Sequence, residues 1–181
     1  KSYVGRAKDA GFKVTYMAGG VPEALLGVEA GADVIVAQGT EGGGHGSWNA
    51  TMALVPMVVD AVCSVPVIAA GGIADGRGLA AALALGAQGV LLGTRFLASE
   101  ESPLHQNFKQ AIVDADGHDT VLTEIPDIAQ ATVWPGAMSR AKRNRFIERW
   151  SGQEWALRQN QARALADLIA ARKAGDVEEA S

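Results

Sequence analysis

The chain has 181 residues, 48% of them hydrophobic, with 20 acidic against 16 basic side chains and a formal charge of −4. That length supports one sizeable core, and a mild negative balance with mostly dispersed basic residues argues against a nucleic-acid or membrane-surface partner. Cys63 is the single cysteine, which excludes an internal disulfide and a cysteine-rich metal site and fits a reducing, cytoplasmic setting. The sequence holds no uninterrupted apolar run of membrane-spanning length and no basic-then-apolar leader pattern.

Residues 1–10 read as a helix with Val4 and Ala7 on one face and Gly11 as its stop. No strand precedes it, so the expectation is that an N-terminal part of the architecture lies outside this chain. Residues 12–18 have strand composition and end at Gly19-Gly20, after which Pro22 opens a helix that closes at Gly31. The apolar run 33–37 then delivers the chain into Gln38-Gly39-Thr40-Glu41-Gly42-Gly43-Gly44-His45-Gly46, a loop with five glycines around one imidazole. Removing most Cβ atoms from a turn lets backbone approach a ligand closely. A buried parallel strand that ends in such a turn brings it to the rim where α/β folds bind and react.

Thr51–Val62 carries Leu54, Val55, Val58, Val59 and Val62 at helical spacing. Residues 66–70 form a wholly apolar strand, buried on both faces, that stops at Gly71-Gly72. A helix over 76–85 follows, then a strand over 89–92 closed by Gly93-Thr94. Repeated strand–helix units predict a parallel sheet with right-handed crossovers. They do not by themselves separate an open doubly wound sheet from part of a (β/α)8 barrel. The glycine signals favour the barrel, because the loops after its last two strands form a recurrent phosphate site. A whole barrel takes about 250 residues, so these units would be its C-terminal half.

Beyond the core, residues 102–115 read as a helix and 117–138 show little periodicity apart from a short strand at Thr120–Thr123. Residues 140–150 predict a basic amphipathic helix with Phe146, Ile147 and Trp150 inward, its charges forming a solvated face. Ser151 to Glu154 has the pattern of a capping box, opening a helix with Trp155, Ala162, Leu165 and Ile169 on one stripe. From Gly175 the acidic tail is expected to fray. The expected division is 1–115 as the barrel half and 116–181 as a C-terminal extension.

The strand ends present Gly71, Gly72, Gly93 and Thr94, whose backbone N–H groups suit a phosphate without a lysine. His45 is the acid or base of these loops, since imidazole titrates near neutral pH. Glu41 either orients it or faces water. His105 and His118 read as surface positions, Ser47 and Ser64 lack a triad context, and Cys63 reads as buried filler. No histidine or carboxylate set has metal-ligand spacing, so no metal is expected.

The segment from Gln38 to His45, the run Thr51 to Pro56, the run Pro66 to Gly76 and Gly93-Thr94-Arg95-Phe96 together resemble the nitronate monooxygenase family, formerly the 2-nitropropane dioxygenases. The likeness extends to Trp134-Pro135-Gly136 and to Arg143-Asn144 with Trp150. The resemblance implies an FMN-dependent (β/α)8 barrel that oxidises alkyl nitronates, or nitroalkanes, with O2 to carbonyl compounds and nitrite. It implies that Gln38 and Gly43 line the isoalloxazine, that Gly71, Gly72, Gly93 and Thr94 with the backbone at Leu91 and Leu92 hold the phosphate, and that His45 is catalytic. A homodimer is a further expectation. Gly42 departs from the family's usual alanine or serine, which should loosen the loop. The Gln38-to-His45 and Ala70-to-Ile73 motifs are also similar to FMN-containing enoyl-acyl-carrier-protein reductases, and some relatives are quinone reductases. An NAD(P)H-dependent reductase and a non-catalytic phosphate-binding fragment are therefore the alternatives.

Overall fold

A computed structural model describes residues 3–134 and 138–180. Pro135 and Gly136 of the tryptophan motif lie outside the described residues. The chain divides into two compact units, Lys1–Gly93 and Thr94–Ser181.

The first unit runs α1 (Tyr3–Asp9), β1 (Thr15–Ala18), α2 (Val21–Glu29), β2 (Val34–Gln38), β3 (Gly44–Gly46), α3 (Thr51–Val62), β4 (Val67–Ala70), α4 (Gly76–Ala84) and β5 (Gly89–Leu91). Strands β1, β2, β4 and β5 lie side by side in that order and every pair is parallel. A doubly wound sheet reverses its strand order at a switch point; here each new strand adds to the same side. The sheet is therefore singly wound, as in a partial (β/α)8 barrel.

Register explains how the helices approach. Ala18 pairs with Ala37, and Ala37 with Ala69, so one rung of the sheet presents three small side chains to the helical layer. These alanines pack in one core with Ile35, Val67 and the fully buried Leu54, Val55 and Val58 of α3. Burying each of those α3 side chains stabilises the fold by about 1.5–3 kcal/mol relative to exposure. Side chains alternate along a strand, and the opposite sheet face carries Met17 and Leu91, both exposed.

At the N-terminal end of β2, Asp33 accepts from Lys8 Nζ (2.6 Å), Lys13 Nζ (3.3 Å) and the Val14 amide (2.8 Å). Lys8 above all, then the Val14 N–H, hold its carboxyl well below the usual carboxylate range. One expectation fails in this unit. Cys63 is exposed rather than buried filler: it ends α3 with φ +34° and its thiol donates to the Asp60 carbonyl. The helix terminates there, and that backbone turn swings the side chain outward.

The second unit runs α5 (Thr94–Leu97), α6 (Gln106–Asp114), β6 (Thr120–Thr123), α7 (Ile125–Ala129), β7 (Met138–Lys142), α8 (Arg145–Trp150), α9 (Glu154–Gln159) and α10 (Gln161–Ala174). The expected helix over 140–150 begins as strand, and residues 140–142 belong to β7. Met138–Lys142 pairs antiparallel with β6, Lys142 opposite Thr120 and Ser139 opposite Thr123, and Lys142 Nζ reaches Asp119 at 3.1 Å. Only the second part is helical, because Asn144 caps it by accepting from the Ile147 amide.

The capping box is corrected in the same way. Ser151 ends α8 and Gln153 is the N-cap of α9, so Glu154 is the first helical residue and its carboxylate accepts from the Gly152 amide. The buried stripe is Leu157, Ala164, Leu168 and Ala171, whereas Trp155 is 73% exposed. Helix α6 starts four residues later than expected, with His105 as its cap accepting from the Asn107 amide. Nor does the tail fray. The Glu178 carbonyl accepts from the Phe146 amide, the Val177 carbonyl from Asn144, and Glu179 pairs with Arg149 at 2.9 Å.

Candidate active site

Strand β2 ends at Gln38, and the chain turns through residues 39–42, where the Gly42 amide donates to the Gly39 carbonyl at 3.1 Å. The next residues form β3, which carries His45. Gln38 spans the turn: its Nε2 donates to the His45 carbonyl at 2.9 Å. A glutamine at the end of the strand thus fixes the backbone of the histidine.

The loop is tied to its neighbours on both sides. Ser47 Oγ and Asn49 Nδ2 both donate to the Gly19 carbonyl, at the end of β1. Towards β4, the Gly39 amide donates to Ala70 O at 3.0 Å. Glu41 is not simply solvated: its carboxylate accepts from the Thr51 amide (2.9 Å) and from Thr51 Oγ1 (2.8 Å) at the first residue of α3. Sequence reasoning missed Ser47, Asn49 and Thr51. Only Thr51 left a signal, a hydroxyl at the start of an apolar helical pattern.

The two strand-end glycine positions play different parts. Gly71 has φ +102°, and a Cβ there would stand 2.8 Å from Gly39 O and 3.1 Å from the Gly39 and Gly42 nitrogens. Its smallness is demanded by the protein itself. Gly72, with φ +70°, is exposed and abuts Glu41. Gly93 is exposed, its φ lies outside the left-handed region, and a Cβ would meet nothing within 4 Å. Among the described residues, no contact within 4 Å requires a glycine there.

Pairing of Ala70 with Leu91 puts the Gly71-Gly72 and Leu92-Gly93 segments on adjacent strand ends of one rim. Leu91 is exposed, Leu92 partly buried and Gly43 exposed; Thr94 begins α5 in the second unit. After the glycine pair, Asp75 caps α4 through the Arg77 and Gly78 amides. The Arg77 guanidinium, with those amides, pulls its carboxyl down to about 2. Among the described residues, no group of three or more histidine, cysteine or carboxylate side chains is placed to hold a metal, and no helix is long and apolar enough to cross a membrane.

A singly wound parallel sheet with glycine loops along one rim defines a segment of a (β/α) barrel. The family profile for nitronate monooxygenase matches residues 1–180, and the chain belongs to that family. A probable nitronate monooxygenase from Staphylococcus aureus strain JH9 is 43% identical over 164 residues, which is 85% of this chain and 44% of the relative. FabK from Thermotoga maritima superposes with a TM-score of 0.84 at 39% identity, covering 99% of this chain and 55% of that one. Nitroalkane oxidase from Streptomyces ansochromogenes gives 0.80 at 33% identity, covering 98% and 52%. The chain thus spans about half the length of the relatives it matches.

Proposed function

We propose that this chain is the C-terminal half of an FMN-dependent nitronate monooxygenase, acting on alkyl nitronates or nitroalkanes with O2 to give a carbonyl compound and nitrite. The observation that carries the reading is the rim: glycines follow β4 at 71–72 and β5 at 93, and the loop after β2, packed against Gly71, holds one histidine whose carbonyl accepts from Gln38. In this reading residues 1–115 belong to the barrel half and 116–181 to a C-terminal extension. The protein is cytoplasmic and forms a homodimer.

Backbone at Gly71, Gly72, Leu91, Leu92 and Gly93, followed in sequence by Thr94, holds the FMN phosphate through N–H donors, the chemistry such turns supply. Gln38 and Gly43 lie toward the ring system. FMN, when bound, supplies the electron-accepting chemistry, which belongs to the cofactor rather than the protein. His45 holds or takes a proton at its imidazole and orients the anionic nitronate by hydrogen bonding. Gln38 keeps the His45 backbone in place while it does so.

The test is the visible absorbance of the purified protein, before and after anaerobic addition of an alkyl nitronate. Loss of the flavin band supports the reading, and a flavin indifferent to nitronate but bleached by NADH or NADPH replaces it with a reductase. That second reading rests on the Gln38-to-His45 and Ala70-to-Ile73 motifs. A protein with no flavin after reconstitution retains only phosphate binding. His45→Asn is expected to keep FMN and lose turnover; an unchanged rate removes His45 from the mechanism.

A further inference from the structure

The Thr51 hydroxyl sits between two acceptors on different loops, Glu41 Oε2 at 2.8 Å and the Gly71 carbonyl at 3.1 Å. Its amide donates to the same Glu41 carboxylate at 2.9 Å. One residue at the head of α3 therefore touches both the loop that carries His45 and the loop that follows β4. The surrounding glycines are shaped by this pin. A Cβ on Gly39 would collide with the Thr51 hydroxyl, and one on Gly72 would stand 2.9 Å from Glu41 Cβ. Glycine at 39 and 72 is the room that Thr51 and Glu41 need.

We propose that Thr51 is a positioning residue that locks the 39–46 loop and the 71–72 loop into one mechanical body, so that a ligand held by the second is felt at His45. This rests on the site reading above for the identity of the ligand, but the lock itself does not. Simple capping of α3 by Glu41 is a different statement. It predicts that losing the Thr51 hydroxyl disturbs the first turn of α3 and nothing beyond β4. The lock predicts that both loops loosen together, because the hydroxyl has a single proton shared between their acceptors.

The experiment is amide hydrogen exchange on the purified protein without added flavin. Thr51→Val keeps the shape and removes the donor; exchange in peptides covering 39–46 and 70–73 is expected to rise together by roughly three- to tenfold, the scale of one net hydrogen bond. Thr51→Ser is expected to restore both. Acceleration of 39–46 alone, or no rescue by serine, overturns the proposal. Thr51→Ala is read by the same criteria if the valine variant does not fold. In parallel, FMN titration is expected to show weaker binding for Thr51→Val and recovery for Thr51→Ser. A wild-type protein that binds no FMN counts against the functional reading, while the exchange data still judge the lock.

Discussion

Two glycines on one rim make opposite predictions for the same substitution. Gly71→Ala forces an L side chain into φ +102°, at a cost of about 1–2 kcal/mol. It also drives Cβ to 2.8 Å from Gly39 O, a backbone atom that cannot rotate away, for about 1–3 kcal/mol more. The expected loss of roughly 2–5 kcal/mol lowers the melting temperature by roughly 5–20 °C for a chain of this size. Gly93→Ala meets no atom within 4 Å and no backbone strain, so its stability should stay within about 0.5 kcal/mol of the parent. Its dissociation constant for FMN, however, should rise about tenfold or more, because the added methyl enters the ligand's space. Differential scanning fluorimetry and flavin-fluorescence titration on both variants give the answer. An unshifted melting temperature for Gly71→Ala refutes the packing argument, and an unchanged flavin affinity for Gly93→Ala refutes the ligand cradle.

Gln38→Leu removes the donor to the His45 carbonyl at about 0.5–1.5 kcal/mol; the expected signature is a lower turnover with flavin still bound, and a parental rate excludes the clamp. Leu54 is fully buried, so Leu54→Ala should cost about 2–5 kcal/mol in a urea titration. Asp75 has its carboxyl lowered to about 2 from 3.8. A lowered native pKa means that its contribution is complete above about pH 4 and is lost as pH falls through 2. Asp75→Asn keeps an acceptor for the cap and removes that titration, so its urea midpoint should decline less steeply between pH 4 and pH 2. Equal slopes would remove Asp75 from acid denaturation.

In the parallel sheet of the first unit, sequence and structure agree closely, because its strands are short, mostly apolar and soon followed by glycine; the short strand Gly44–Gly46 lies within what reads as loop. Thr51–Val62 is helical over the expected range. The second unit was harder to read for identifiable reasons. Arg140, Ala141 and Lys142 have good helix propensity, yet tertiary pairing with β6 makes them a strand. Ile125–Ala129 shows no amphipathic period because all five residues are buried. The stripe expected around Trp155 is displaced by the break at Asn160, which resets the phase between α9 and α10. At the site, glycine clusters located the rim, but composition cannot tell a glycine required by a neighbouring backbone, as at 71, from one facing open space, as at 93.

The winding of the sheet also separates two kinds of work along each strand. Because β1, β2, β4 and β5 are all parallel, the Asp33 cluster with Lys8 and Lys13 sits at one end and the glycine loops that follow β2, β4 and β5 at the other. The length of the strands thereby separates the ion-paired end of the sheet from the end that carries these loops. Directed evolution can exploit that partition. A library confined to exposed loop positions such as Gly43 and Ala74 varies the glycine end alone, while substitutions around Asp33 act on the other.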